Sequence, residues 1–379
     1  MAKPTAALAP PERLLCGPGP TNVEPAALAA MGKPMLGHLD PAFHAILDEV
    51  VSMLAEVYRA HDGIVLPLQS TGTSGMEAGI ANLVEPGDTV IVGRSGFFGA
   101  RIAEIAGRHG ANVVEVAEDW GKHVPNERLV DALERNPDAR LVAVVHGETS
   151  TGVQHPLAEL GEAVRDSGAL LMADCVTTLG GVRIDFDAWG IDYAYSCTQK
   201  CLGAPPGMSP LAVSPRALER IETRTTPVPF SLDLRLLRAY FVDRPAAYHH
   251  TTPILHMYAF HEVLRQTLEE GVEQRWARHE AAGRRFAARA EEAGLEVLAE
   301  AGHRLAPLTA VRVPEGIDGK DVQRKLLAER GLEVGGGLGP TAPPIWRIGL
   351  MGPNANEETA DQVLAALTTV LADGRVPVG

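Results

Sequence analysis

Along the chain, short continuous apolar runs alternate with longer stretches of helical period. Residues 89–92, 112–116, 141–145 and 169–173 read as strands buried on both faces. Between them, 100–109, 127–136 and 157–167 space their apolar residues three and four apart, as amphipathic helices do. A helix over 41–60 precedes them. Pro41 starts it after Asp40 as cap, and Phe43, Ile46, Leu47, Val50, Val51 and Leu54 share one face. A short strand at 192–196 and a returning strand at 211–213 follow. This alternation predicts an α/β fold with a mostly parallel sheet, in which ligands bind beyond the carboxyl ends of the strands.

The pattern then changes. Residues 225–244 read as loop-rich, and a long helix over 254–294 is broken or bent near Gly271. In the last hundred residues, strands at 295–298, 308–313, 332–334 and 345–350 alternate with helices at 318–330 and 356–372. This is a smaller α+β domain. A chain of 379 residues exceeds one ordinary core. The expected division is an N-terminal extension over 1–20, a large domain over 21–270 and a small C-terminal domain over 271–379.

Composition narrows the class. Hydrophobic residues at 45%, charged residues at 22% and a mean hydropathy near zero describe a globular protein. A net charge of −14 is the wrong sign for a nucleic-acid partner, and aromatics at 5% supply no base-stacking platform. Cys16, Cys175, Cys197 and Cys201 form no C-x-x-C and are expected as free thiols. The first residues lack a signal peptide's apolar core, no run approaches a membrane span, and Val-Pro-Val-Gly is no peroxisomal address. The expectation is a cytoplasmic protein with no membrane contact. His249, His250, His256 and His261 lack the spacing of a zinc-binding helix, so no metal is expected.

Candidate chemistry gathers after the strands. Ser70, Thr71, Gly72 and Thr73 lead straight into a helical pattern. Unpaired N–H groups, hydroxyl donors and a glycine at a helix start suit a phosphate, though an ordinary Ser/Thr-capped helix has the same look. His146-Gly-Glu-Thr-Ser-Thr-Gly152 follows one strand, Asp174 the next, and Lys200 the one after. Alone, such an aspartate is most often a turn former, and such a lysine a surface residue. Together with the cradle they suit pyridoxal phosphate. That cofactor needs a lysine for its Schiff base and a carboxylate opposite the pyridine nitrogen. Arg347 sits within an apolar strand and needs a partner, either a structural acid or a substrate carboxylate.

Seven ordered segments carry a resemblance. They are Gly-Pro-Gly-Pro-Thr-Asn from Gly17, Ser-Thr-Gly-Thr-Ser-Gly-Met-Glu-Ala from Ser70, and His-Gly-Glu-Thr-Ser-Thr-Gly from His146. Asp-Cys-Val from Asp174, Thr-Gln-Lys-Cys-Leu-Gly-Ala-Pro-Pro-Gly from Thr198, Tyr-His-His-Thr-Thr-Pro from Tyr248 and Arg-Ile-Gly-Leu-Met-Gly from Arg347 follow. Over about residues 13–372 the chain resembles the class V pyridoxal-phosphate aminotransferases, in particular the alanine/serine–glyoxylate branch. The resemblance implies a fold type I homodimer with active sites shared between subunits. Lys200 would carry the internal aldimine and Asp174 would pair with the pyridine nitrogen. Val176 and Phe98 would cover the two ring faces, and Thr149 would touch the phenolic oxygen. Thr71, Gly72, Thr73 and Gln199 would hold the phosphate, with Tyr248 and Thr251 reaching it across the interface. Arg347 would clamp the substrate carboxylate.

The implied reaction moves an amino group from alanine or serine to glyoxylate by a ping-pong mechanism. The segment from Lys200 to Gly207 also resembles pyridoxamine–pyruvate aminotransferase, which is the second reading. A lyase or desulfurase of the same fold, and a silent binding protein on it, are the others.

Overall fold

The computed structural model describes residues 7–243 and 246–374. Its centre is a seven-stranded sheet made of β1 (Ile64–Gln69), β2 (Thr89–Arg94), β3 (Asn112–Ala117), β4 (Ala139–Val145), β5 (Leu170–Asp174), β6 (Tyr193–Tyr195) and β7 (Met208–Val213). The spatial order is β1-β7-β6-β5-β4-β2-β3. All neighbours run parallel except β7, which is antiparallel to both β1 and β6. The buried runs of β4 and β5 follow from their Val, Leu and Ala content, since helices cover both faces.

Prolines shape one edge of this sheet. Pro67 of β1 stands opposite Pro210 of β7, and β7 pairs with β6 only from Leu211 onward. Proline cannot donate to a ladder, so the pairing stops there. The Pro210 carbonyl instead accepts from Ser196 N at 2.9 Å and Tyr58 Oη at 2.9 Å.

Apolar side chains form two main clusters. The larger spans Ala27 to Leu264 around the seven-stranded sheet. The smaller unites Cys16 with residues from Ala282 to Leu371. A three-stranded antiparallel sheet serves the second cluster, with β8 (Leu308–Arg312), β9 (Gly335–Gly336) and β10 (Ile345–Gly349), where β10 is central. The chain returns its N-terminal end there: Leu14–Leu15 pairs in parallel with Leu332–Glu333.

Most predicted elements are present within a few residues. The helix after Asp40 runs Pro41–Tyr58, and the Asp40 carboxylate accepts from Ala42 N at 2.8 Å. The long helix is two helices, Ile254–Glu270 and Val272–Glu292, separated by Gly271 at φ 88°. The loop-rich stretch 225–244 also holds a helix, Leu234–Phe241, whose Leu234, Leu237, Tyr240 and Phe241 are buried. Two expectations need correction. Residues 295–298 are not a strand, being joined to the sheet only by a bridge between Val297 and Val311. The helix expected from residue 100 begins at Phe97, for a reason supplied by a distant loop. No helix among the described residues is long and apolar enough to cross a membrane.

Candidate active site

The site is assembled from the ends of neighbouring strands. Asp174 closes β5 and lies directly opposite Tyr195 of β6 in the parallel register. That register brings the Tyr195 hydroxyl to Oδ2 at 2.6 Å, while Val176 N donates to Oδ1 at 2.9 Å. The carboxyl is buried. Burial raises its pKa to about 7, against the opposing pull of these two hydrogen bonds.

Lys200 lies in the turn after β6 and is 9% exposed. Its Nζ donates to the carbonyl of Pro18. The Gly17–Pro20 loop forms a close floor under this side chain. A Cβ on Gly19 would come within 2.5 Å of Lys200 Cδ and Cε, and Gly19 sits at φ 101°. Burial lowers the pKa of the amine, favouring the neutral form that a nucleophile or base requires. Cys197 and Cys201 are buried free thiols whose pKa values are raised by burial to about 12.

The helix Gly72–Leu83, α1, opens at the end of β1. Thr71 caps it: its Oγ1 and carbonyl accept from Ser74 N at 3.3 and 2.9 Å. Among the described residues, the N–H groups of Gly72 and Thr73 have no acceptor. Gly72 is buried against Val176, whose Cγ2 would lie 2.9 Å from an added Cβ. Thr73 is exposed, and its Oγ1 meets Arg101 Nη1 at 3.5 Å. Gln69 and Gln199 each carry a buried Oε1 without a partner.

Arg347 projects from β10 and is buried. Its Nε donates to the Gly336 carbonyl at 2.6 Å and Nη1 to the Thr149 carbonyl at 3.2 Å. No carboxylate forms an ion pair with it among the described residues, so the structural-acid alternative has no counterpart here. Burial lowers its pKa to about 10, with Glu148 acting in the opposite direction. Thr149 is buried, with its Oγ1 3.4 Å from Thr177 Oγ1. Phe98 is half-buried and packs edge-on against Phe97 at 5.5 Å.

Two predicted residues stand apart. Tyr248 is 65% exposed, its ring 5.6 Å from that of His38. Thr251 is exposed and lines an open cavity of about 380 Å³ with Gln69, Ser70, Gly207 and His256. Of the remaining histidines of that region, His261 Nε2 meets Glu49 at 2.6 Å, while His249 stacks on Phe230 and meets His250 Nδ1 with its own Nδ1.

Sequence reasoning missed five contributors. Tyr195 could have been found by aligning β5 with β6, since both strands end together. Pro18 and Gly19 carried a signal as a rigid Gly/Pro turn, but nothing local pointed them at Lys200. Arg101 lies within 4.7 and 5.3 Å of the Phe97 and Phe98 ring centroids, on a helix face that looks solvated in sequence. Glu148 was visible only as a polar residue after β4.

Comparison with known proteins places this geometry. The pattern of the family described as Aminotransferase class-V matches residues 26–352. The alanine–glyoxylate aminotransferase of Oryctolagus cuniculus is 37% identical over 368 residues, covering 96% of this chain and 94% of that protein. The (S)-ureidoglycine–glyoxylate transaminase of Bacillus subtilis is 37% identical over 383 residues, with 96% and 92% covered. A crystal structure of alanine–glyoxylate aminotransferase from Nostoc sp. superposes with a TM-score of 0.94 at 46% identity, covering 97% of this chain and 98% of that one.

Proposed function

The chain belongs to the class-V aminotransferase family, and we propose that it transfers an amino group from alanine or serine to glyoxylate in two half-reactions. The family uses pyridoxal 5'-phosphate, and the residues present fit it. The open N–H groups of Gly72 and Thr73 await an anion, and Gln199 has an unpartnered buried oxygen. Asp174 is a buried carboxyl with no ion-paired cation among the described residues, suited to a ring N–H. Thr71, Gly72, Thr73 and Gln199 would hold the phosphate, Thr149 the phenolic oxygen, and Val176 and Phe98 the ring faces.

When bound, the cofactor supplies an electron sink that acidifies the donor's Cα–H. The protein's own groups do the rest. Arg347 grips the carboxylate of donor and acceptor in turn through a charge-assisted fork. Lys200 would hold the cofactor in the resting enzyme and, with its amine free, would serve as the base for the donor's Cα proton. A neutral amine is needed for that base step, and burial favours it. Asp174 retains the ring proton, with Tyr195 and Val176 orienting its two oxygens. The Pro18 carbonyl gives the free Lys200 amine a resting position.

The observation that carries this reading is Arg347, a buried guanidinium held by two backbone carbonyls and in no ion pair among the described residues. Glyoxylate as acceptor rests on the relatives. We also take Tyr248 and Thr251 to reach the phosphate of a partner subunit in a homodimer, a reading supported by their exposure. The division into domains at 270/271 is supported by Gly271 between two helices and by the two apolar clusters.

A matrix of donors and acceptors with purified holoenzyme tests the function. Alanine or serine with glyoxylate should give the fastest turnover, and borohydride should fix the cofactor to Lys200. (S)-Ureidoglycine and pyridoxamine, with glyoxylate and pyruvate as acceptors, are the competing arms. Absence of amino transfer to glyoxylate from every amino acid would overturn the reading. Release of ammonia or sulfide without an acceptor would place the chain with lyases or desulfurases.

A further inference from the structure

The helix Phe97–Arg108, α2, has an unusual beginning. A helix leaves its first N–H groups without internal partners, and a local Ser, Thr, Asp or Asn commonly satisfies one of them. Here the N-cap is Gly96, which has no side chain to offer. The first three N–H groups are nonetheless all paired, by two residues from the loop after β4. Phe97 N donates to Ser150 Oγ at 2.9 Å, while Phe98 N and Gly99 N donate to Glu148 Oε2 at 3.0 and 3.2 Å. The other carboxylate oxygen, Oε1, accepts from Ser150 N at 3.0 Å and Ser150 Oγ at 2.6 Å.

Glu148 is fully buried, and every one of these contacts gives it a donor. Burial raises the pKa of this carboxyl, while the hydrogen bonds donated by Ser150, Gly99 and Phe98 pull it back toward the ionised form. Gly96 is required by the same arrangement. A Cβ there would lie 2.4 Å from Ser150 Oγ and 2.6 Å from Glu148 Cγ. The loop therefore replaces the missing local cap and occupies the space of its side chain.

Its neighbours connect this cap to the site. Thr149, between the two capping residues, presents its carbonyl to Arg347 Nη1. The capped turn carries Phe98, proposed above to cover one face of the cofactor ring. One three-residue segment thus fixes the helix start bearing Phe98 and supports the substrate-binding arginine.

We propose that Glu148 is a positioning residue, setting the ring of Phe98 over the cofactor by capping the helix start with its buried carboxylate. The inference rests on the aminotransferase reading for the role of Phe98, whereas the cap itself does not. Glu148→Gln is the discriminating substitution. It keeps the shape but puts an NH₂ donor where all the existing partners are donors. Ser150→Ala, which removes one hydroxyl and keeps the carboxylate, is the milder variant should the first fold poorly.

Three readouts separate the possibilities. Amide hydrogen exchange over residues 96–101, measured on cofactor-free protein, should accelerate at least about 10-fold in Glu148→Gln and less in Ser150→Ala. The visible circular dichroism of the bound cofactor should change in both variants, with affinity for pyridoxal phosphate falling about 10-fold or more in Glu148→Gln, while borohydride still fixes cofactor to Lys200. Phe98→Leu should reproduce much of the cofactor effect, and the Glu148→Gln/Phe98→Leu pair should be clearly less than additive.

Unchanged exchange would overturn the cap. Faster exchange with wild-type dichroism and affinity, or with additive losses, would make Glu148 structural only and overturn the positioning role. A wild-type protein that binds no pyridoxal phosphate would overturn the aminotransferase reading and this role with it, leaving only the exchange result to stand.

Discussion

Two helix starts in this molecule receive opposite treatment. At α1 the cap is local, made by Thr71, and the N–H groups of Gly72 and Thr73 have no acceptor among the described residues. At α2 the corresponding groups are closed by a buried carboxylate and a hydroxyl from a distant loop. Both starts concentrate the same partial positive charge. In the function proposed above the first would receive the cofactor's phosphate, whereas the second is occupied by the protein's own side chains. The contrast separates a binding surface from its support. An open helix start is useful only where something else is to fill it.

Lys200→Ala should have the largest effect. It removes both the attachment point and the base, so kcat should fall at least about 1,000-fold while the thermal unfolding of the apoprotein changes little. Near-normal amino transfer by this variant would remove the central premise. Arg347→Ala comes next. Loss of a charge-assisted fork predicts a drop of about 10- to 100-fold in kcat/KM for amino acid and keto acid alike. Steady-state kinetics with each substrate varied in turn would show whether the loss is shared by both half-reactions.

Paired glycine substitutions test the two helix starts directly. Gly72→Ala would place a methyl 2.9 Å from Val176 Cγ2, at the open start, and should weaken pyridoxal phosphate binding with a modest cost in apoprotein stability. Gly96→Ala would drive a methyl into Ser150 and Glu148 at the closed start, and overpacking of that kind costs about 1–3 kcal/mol of stability. Cofactor titration and chemical denaturation of both variants would show whether the effects divide this way. Equal effects on both measurements would mean that the two starts do not differ in kind.

A smaller effect is expected from pH. The Asp174 carboxyl, raised to about 7 when buried, binds its proton more tightly folded than unfolded. The stability this contributes is fully present below the unfolded value near ~3.9 and is lost as pH rises through about 7. Apoprotein should therefore lose stability between about pH 4 and 7, and Asp174→Asn should lose less over that interval. Indistinguishable pH profiles for the two proteins would argue that Asp174 is already ionised in the folded apoprotein.

The sequence by itself determined the parts of the molecule that depend on neighbours in the chain. The apolar runs of β2 to β5, the Asp40 cap with Pro41 behind it, and the break at Gly271 all follow from local pattern. So did the placement of Asp174 and Lys200 after consecutive strands, because a parallel α/β sheet sends its strand ends to one side. Tertiary structure alone decided what these residues touch. Tyr195 reaches Asp174 through strand register, and Pro18 reaches Lys200 from far along the chain. The start of α2 at Phe97, three residues before the periodicity begins, is the sharpest case. Residues 95–99 contain no cap of their own, and the donors of that turn are satisfied from Glu148 and Ser150. A bond formed across some fifty positions has no period to read, which is why the open helix start was legible in the sequence and the closed one was not.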